Sequence, residues 1–107
     1  METITFLLLI GMLTPIMKPH ADRDRVQIAI EGMKFVPDSI RVKKGDAVEF
    51  TNLSAYMHNV VSPANKIRSP FLKKGDTFRY NADKVGIIEY YCEPHKAMGM
   101  KGKIIVE

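Results

Sequence analysis

The C-terminal stretch YYCEPHKAMGMKGKIIVE holds the one cysteine of the chain, Cys92, with a histidine three residues later and two methionines just beyond. A single thiol cannot form an internal disulfide, so its use lies elsewhere. Taken singly, Cys92 reads as a small buried hydrophobe and Met98 and Met100 as gap fillers. His58, between Met57 and Asn59 at the start of an apolar run, reads singly as a hydrogen-bonded structural histidine. His20 lies in or beside an N-terminal leader and reads as solvated or removed. As a set these residues read differently. Cys92 closes a strand on its inward face, Pro94 turns the chain, and Gly99 and Gly102 let it fold back before the last strand. So short a loop brings His95 and Met100 to the end of the domain where the thiol lies, and His58 reaches that end from a neighbouring strand. Two imidazoles, a thiolate and a thioether are the trigonal His₂Cys set with a weak axial Met that makes a blue-copper electron-transfer site. Zinc competes for such ligands, but structural zinc sites lean on paired Cys or paired His motifs, which are missing here. A Cys–His nucleophilic pair is a further alternative, one that leaves the second histidine and the methionines unused.

The elements that must position these residues are short strands. VQIAI alternates from Val26 to Ile30, and EGMK turns the chain. DSIRVKKGDAVEFTNLS puts Ile40 and Val42 on one face, turns at Lys44-Gly45-Asp46 and alternates again through Val48 and Phe50, a hairpin pattern of period 2. HNVVS is a β-branched run ended by Pro63. KKGDTFRYNA repeats the turn and alternates through Phe78 and Tyr80. VGIIEYYCE places Ile88, Tyr90 and Cys92 on one face, and KGKIIVE is a terminal strand. No segment carries a capped helical repeat. About seven strands at this spacing predict an antiparallel sandwich or barrel. The repeated KKGD at 43–46 and 73–76 is read as two similar turns.

With 107 residues there is room for one domain. Hydrophobic residues make up 46% and charged residues 26%, a balance that excludes a disordered chain. Residues 4–17, ITFLLLIGMLTPIM, are almost entirely apolar, but a helix over them would reach about 21 Å, short of a bilayer core. Their length suits the apolar region of a secretory signal, with cleavage near Ala21, although no Lys or Arg precedes it. Residues 1–21 are therefore expected to be a signal peptide or short anchor, residues 22–107 the functional domain, and the location periplasmic. Loss of Glu2 and Lys18 with a leader keeps the net charge at +4. The basic residues are scattered without aromatic stacking partners, which argues against nucleic acid. A mildly basic surface suits an acidic partner.

The stretch YYCEPHKAMGMKGKIIVE resembles the copper loop of the small cupredoxins, pseudoazurin, plastocyanin and amicyanin: Cys-x-Pro-His, a spacer, then Met before a final strand. FVPDSIRVKKGDAVEF resembles their second and third strands, and MHNV the segment bearing their first histidine. The similarity runs from about Val26 to Glu107. It implies an all-β Greek-key sandwich of about seven to eight strands, one copper ion cycling between Cu(II) and Cu(I), and His58, Cys92, His95 and Met100 as its ligands. Amicyanin-like spacing would select Met98 instead; the Met-x-Gly that leads into the last strand selects Met100. The resemblance also implies that the Asn59 backbone N–H donates to the Cys92 sulfur. Pro94, lacking an N–H, cannot add a second such bond, which should leave the thiolate electron-rich. His58 and Cys92 are 34 positions apart, shorter than is usual in these relatives, so the intervening region is trimmed.

The expectation is a monomeric carrier of single electrons between a redox donor and an acceptor. Lys96, Lys101 and Lys103 beside the loop suggest acidic docking surfaces on those partners. A copper chaperone or storage protein is the alternative. Four protein ligands leave no position for substrate, and three histidines cannot build a second metal centre, so no enzyme is expected.

Overall fold

A computed structural model describes residues 25–107; the leader reading of residues 1–21, with His20, falls outside them. Among the described residues, nine strands form two sheets. The first contains β1 (Arg25–Glu31), β2 (Lys34–Val36), β4 (Ala47–Asn52) and β7 (Thr77–Asn81), in the order β2-β1-β4-β7. The second contains β3 (Ser39–Val42), β5 (Val61–Ser62), β6 (Ile67–Arg68), β8 (Gly86–Tyr91) and β9 (Lys101–Val106), in the order β3-β9-β8-β5-β6.

The alternation read from the sequence selects the inward faces. Ile28 and Ile30 from β1, Val48 and Phe50 from β4, Ile88 and Tyr90 from β8, and Ile104 and Val106 from β9 are all buried in one core. Each such side chain contributes about 1.5–3 kcal/mol when fully withdrawn from water. Tyr90 is wedged edge-on between Phe35 and Phe50, with ring centroids 4.8 and 5.2 Å away. Phe78 and Tyr80 are only half-buried, because β7 is an edge strand.

Two expectations require correction. The sheets are mixed, not purely antiparallel: β1 runs parallel to β4, and β3 runs parallel to β9. The segment 39–50 is not a hairpin either, since β3 and β4 lie in different sheets. The intervening KKGD turn arches between the layers. Its Lys44 N–H donates to the Glu107 carbonyl at the end of β9, and its Gly45 N–H to the Ala82 carbonyl just after β7. The two KKGD segments do share one turn design. Asp46 and Asp76 each donate a backbone N–H to the first lysine of their turn and accept that lysine's N–H on the carboxylate. Asp and Gly in such positions favour a tight turn wherever it occurs, which is why the motif alone does not name a hairpin.

Gly102 was expected in the fold-back loop but lies inside β9, opposite Tyr90 of β8. A Cβ there would come within 2.6 Å of the Tyr90 ring carbon Cζ and 3.0 Å of the Asp38 carbonyl, and closer still to the phenol oxygen. Glycine is required at that position by close approach.

Candidate metal centre

Three elements meet at one end of the sandwich. Cys92 directly follows β8, and its N–H donates to the Met100 carbonyl at 3.0 Å, so the β8–β9 ladder closes on the two sulfur residues. Between them, Glu93–Met98 form a 3-10 turn opened by Pro94 and ended by Gly99 at φ 80°. The short loop expected from sequence is thus a 3-10 turn, with a kink in its backbone at His95. It carries His95 back toward the thiol. His58 sits in a separate bridge with Leu72, exchanging backbone hydrogen bonds of 3.2 and 2.7 Å.

The result is a compact donor cluster. Cys92 Sγ lies 3.5 Å from His58 Nδ1 and 3.4 Å from His95 Nδ1. One ligand atom from each of the three residues falls within 4.8 Å of the others. His58 and Cys92 are fully buried, and His95 is half-buried. Of the two methionines, Met100 is buried at 1% exposure and Met98 is 67% exposed. Both imidazoles turn Nδ1 to the sulfur, leaving Nε2 for other partners. His58 Nε2 is 3.2 Å from Ser54 Oγ, an arrangement that fixes which nitrogen faces the thiol.

Burial dominates the electrostatics. It pushes the His58 pKa down, aided by the neighbouring His95 and opposed by a hydrogen bond to the Gly32 backbone. Burial also pushes the Cys92 thiol up, opposed by the backbone N–H groups of Asn59 and His95. Both groups are thus biased toward their uncharged forms, a neutral imidazole ready to donate a lone pair and a thiol that a cation must deprotonate. The Asn59 N–H works in the direction expected of it, lowering the thiol pKa against the effect of burial. The His95 N–H opposes the upward shift as well, while its own hydrogen bond goes to the Cys92 carbonyl at 3.2 Å.

Of the supporting residues, Asn59 was expected to act here, whereas Asn52 and the Arg68–Glu93 pair gave no signal in the sequence. Asn52 is fully buried; its amide donates to the carbonyls of Tyr56 and Leu72, each at 2.8 Å, and accepts from the Ser54 N–H at 2.8 Å. It thereby ties the segment before His58 to the strand that bridges it. Asn59 accepts the Glu93 N–H at 2.8 Å and donates to the Glu93 carboxylate at 3.3 Å, joining the residue after His58 to the residue after Cys92. Glu93 in turn receives both guanidinium nitrogens of Arg68, at 2.7 and 3.2 Å.

The sequence profile of the copper binding proteins of the plastocyanin/azurin family matches residues 23–107. The chain belongs to that family. It is 35% identical to the chloroplastic plastocyanin of Chlamydomonas reinhardtii over 100 residues, covering 82% of this chain and 69% of the relative. Amicyanin-alpha of Methylorubrum extorquens is 33% identical over 102 residues, covering 91% and 82%. Among solved structures, a reduced amicyanin variant superposes with a TM-score of 0.73 at 29% identity, covering 82% of this chain and 89% of that one. A purple cupredoxin from Nitrosopumilus maritimus gives 0.68 at 25% identity, covering 77% and 99%. As a cupredoxin, the chain is a blue-copper electron-transfer protein and not an enzyme, with one copper ion as its cofactor.

Proposed function

We propose that His58, Cys92, His95 and Met100 hold the copper, and that Met98 does not. The observation that carries this reading is the convergence of one thiol and two imidazole Nδ1 atoms, within 3.5 Å of the sulfur, in a buried pocket. The donor chemistry fits: soft sulfur suits Cu(I), and imidazole suits both oxidation states. Met100 shares the core with Cys92, whereas Met98 points its surface to solvent on the same turn. When bound, copper supplies a one-electron couple. The chain contributes a rigid donor set, with Ser54 and Asn59 fixing the orientation of the ligands and the buried walls excluding water. Burial of His58 and Cys92 disfavours the chaperone alternative, because release to another protein needs ligands that exchange stepwise.

His95, half-buried where His58 is not, is the outlet for the electron. The segments bearing the site expose Leu53, Tyr56, Met57, Phe71 and Met98, an apolar surface suited to brief docking. Lys96, Lys101 and Lys103 line a groove with Tyr91 on the outer face of β8 and β9, and Lys96 Nζ lies 4.4 Å above the Tyr91 ring. Acidic surfaces on redox partners fit that side, with rim charges steering encounter more than tightening the complex. We assign the protein to the periplasm as a monomer, with residues 1–21 as signal peptide or short anchor and 22–107 as the copper domain, on the strength of the apolar run at 4–17.

The test of the ligand set is electrochemical. Met100→Leu should raise the reduction potential and change the visible spectrum, since it removes the thioether that favours Cu(II), while Met98→Leu should leave both as in the wild type. The reverse pattern would transfer the axial role to Met98.

A further inference from the structure

The copper ligands Cys92 and His58 are each followed by a residue that belongs to one chain of hydrogen bonds ending at Arg68 on the edge strand β6. Glu93 holds Asn59 twice, through its backbone N–H to Oδ1 at 2.8 Å and through its carboxylate from Nδ2 at 3.3 Å. Arg68 then grips both carboxylate oxygens at 2.7 and 3.2 Å, the forked geometry that only a guanidinium provides. The two side chains are 60% and 45% exposed, so their ion pair adds little to folding. Its placement matters more than its strength. The carboxylate is one residue from the thiolate ligand, and the Asn59 it holds directly follows His58, the other buried ligand.

We propose that Arg68 and Glu93 form a charge-compensated clamp that sets the reduction potential of the copper. Glu93 is a positioning residue: it locks Asn59 and so the segment that carries His58. It also places a negative charge beside the metal, and Arg68 offsets that charge. This rests on the assignment of Cys92 and His58 as ligands. A negative charge near the site favours Cu(II) over Cu(I), and a positive charge does the reverse, with solvent screening part of each because the pair is exposed. Glu93→Gln keeps a side chain able to bond Asn59 but leaves the Arg68 cation unopposed. Arg68→Gln leaves the Glu93 anion unopposed. The two substitutions therefore drive the potential in opposite directions, up for Glu93→Gln and down for Arg68→Gln.

The experiment is a mediated redox titration of the copper-loaded protein and these variants, monitored by the visible band, with Arg68→Lys as a charge-conserving control. The expected result is a rise for Glu93→Gln, a fall for Arg68→Gln, a double variant between the two, and Arg68→Lys nearer to wild type than Arg68→Gln. Shifts of the same sign in both single variants would mean that the pair merely braces the fold, and would overturn the proposal. Unchanged potentials would overturn it as well. If the wild type itself forms no coloured copper complex, the ligand assignment fails instead, a result distinct from either of these. Both substituted side chains are at the surface, and thermal melting of each apo variant separates a shift in potential from loss of the fold.

Discussion

Gly102→Ala puts the packing between the two sulfur-bearing strands under direct strain. The new methyl carbon would stand 2.6 Å from Tyr90 Cζ and 3.0 Å from the Asp38 carbonyl, where carbon atoms pack comfortably at about 3.5–4.0 Å. Relief requires a movement of about 1 Å by the Tyr90 ring or by β9. The ring has little freedom, because Phe35 and Phe50 hold it edge-on from both sides. The backbone carbonyl of Asp38 cannot rotate away, since it accepts the Lys103 N–H at 2.9 Å. Overpacking of a held site costs about 2–3 kcal/mol. For a domain of this size, about 4–8 °C per kcal/mol, the apo melting midpoint should fall by about 8–24 °C. Circular dichroism melts of the apo protein give the number. Tyr90→Phe in the Gly102→Ala background removes the nearest atom and should recover part of the loss. That hydroxyl is buried without a protein partner among the described residues, so Tyr90→Phe alone should cost little. A Gly102→Ala midpoint within about 2 °C of wild type would refute the close-approach argument.

The apo protein should be most stable between the ordinary pKa values of its buried His58 and Cys92. Burial lowers the His58 pKa below 6.5, so the unfolded chain protonates first and stability falls as the pH drops below that value. Burial raises the Cys92 pKa above 9.0, so the unfolded chain ionises first and stability falls as the pH climbs past that value. Melts across this range check both limbs; the acid limb should flatten in His58→Gln and the alkaline limb in Cys92→Ser, and unchanged limbs would contradict the assignment. For partner docking, the second-order electron-transfer rate with an acidic redox protein should fall as salt rises, over a Debye length of about 8 Å at physiological ionic strength. Lys96→Glu/Lys101→Glu should be much slower at low salt, and a flat salt dependence in both proteins would remove the basic groove as a docking face.

Much of the site was legible because it depends on residue type and short spacing. Cys92, His95 and Met100 lie on one strand–turn–strand unit, and the period-2 pattern that buries Ile88 and Tyr90 also points Cys92 inward. His58 was legible as a candidate through its relation to that unit, and the structure places it beside Cys92 and His95. Strand direction was not legible. Alternation at Val48 and Phe50 says which face meets the core but not whether the neighbour is antiparallel β7 or parallel β1. The false hairpin at 39–50 has the same origin, since KKGD specifies a turn and not the sheet that receives the next strand. Asn52, Ser54 and the Arg68–Glu93 pair were invisible for a different reason. Their roles are hydrogen bonds between residues such as Arg68 and Glu93, 25 positions apart, whose pairing exists only once the strands are placed.

The central claim is that one thiolate, two imidazoles and a buried thioether hold copper for electron transfer. Titrating Cu(II) into the apo protein while recording visible and paramagnetic-resonance spectra tests it most directly. The account predicts one equivalent bound, an intense visible band from thiolate-to-copper charge transfer, and loss of that band in Cys92→Ser. A colourless complex, or colour that persists without the Cys92 sulfur, would contradict it.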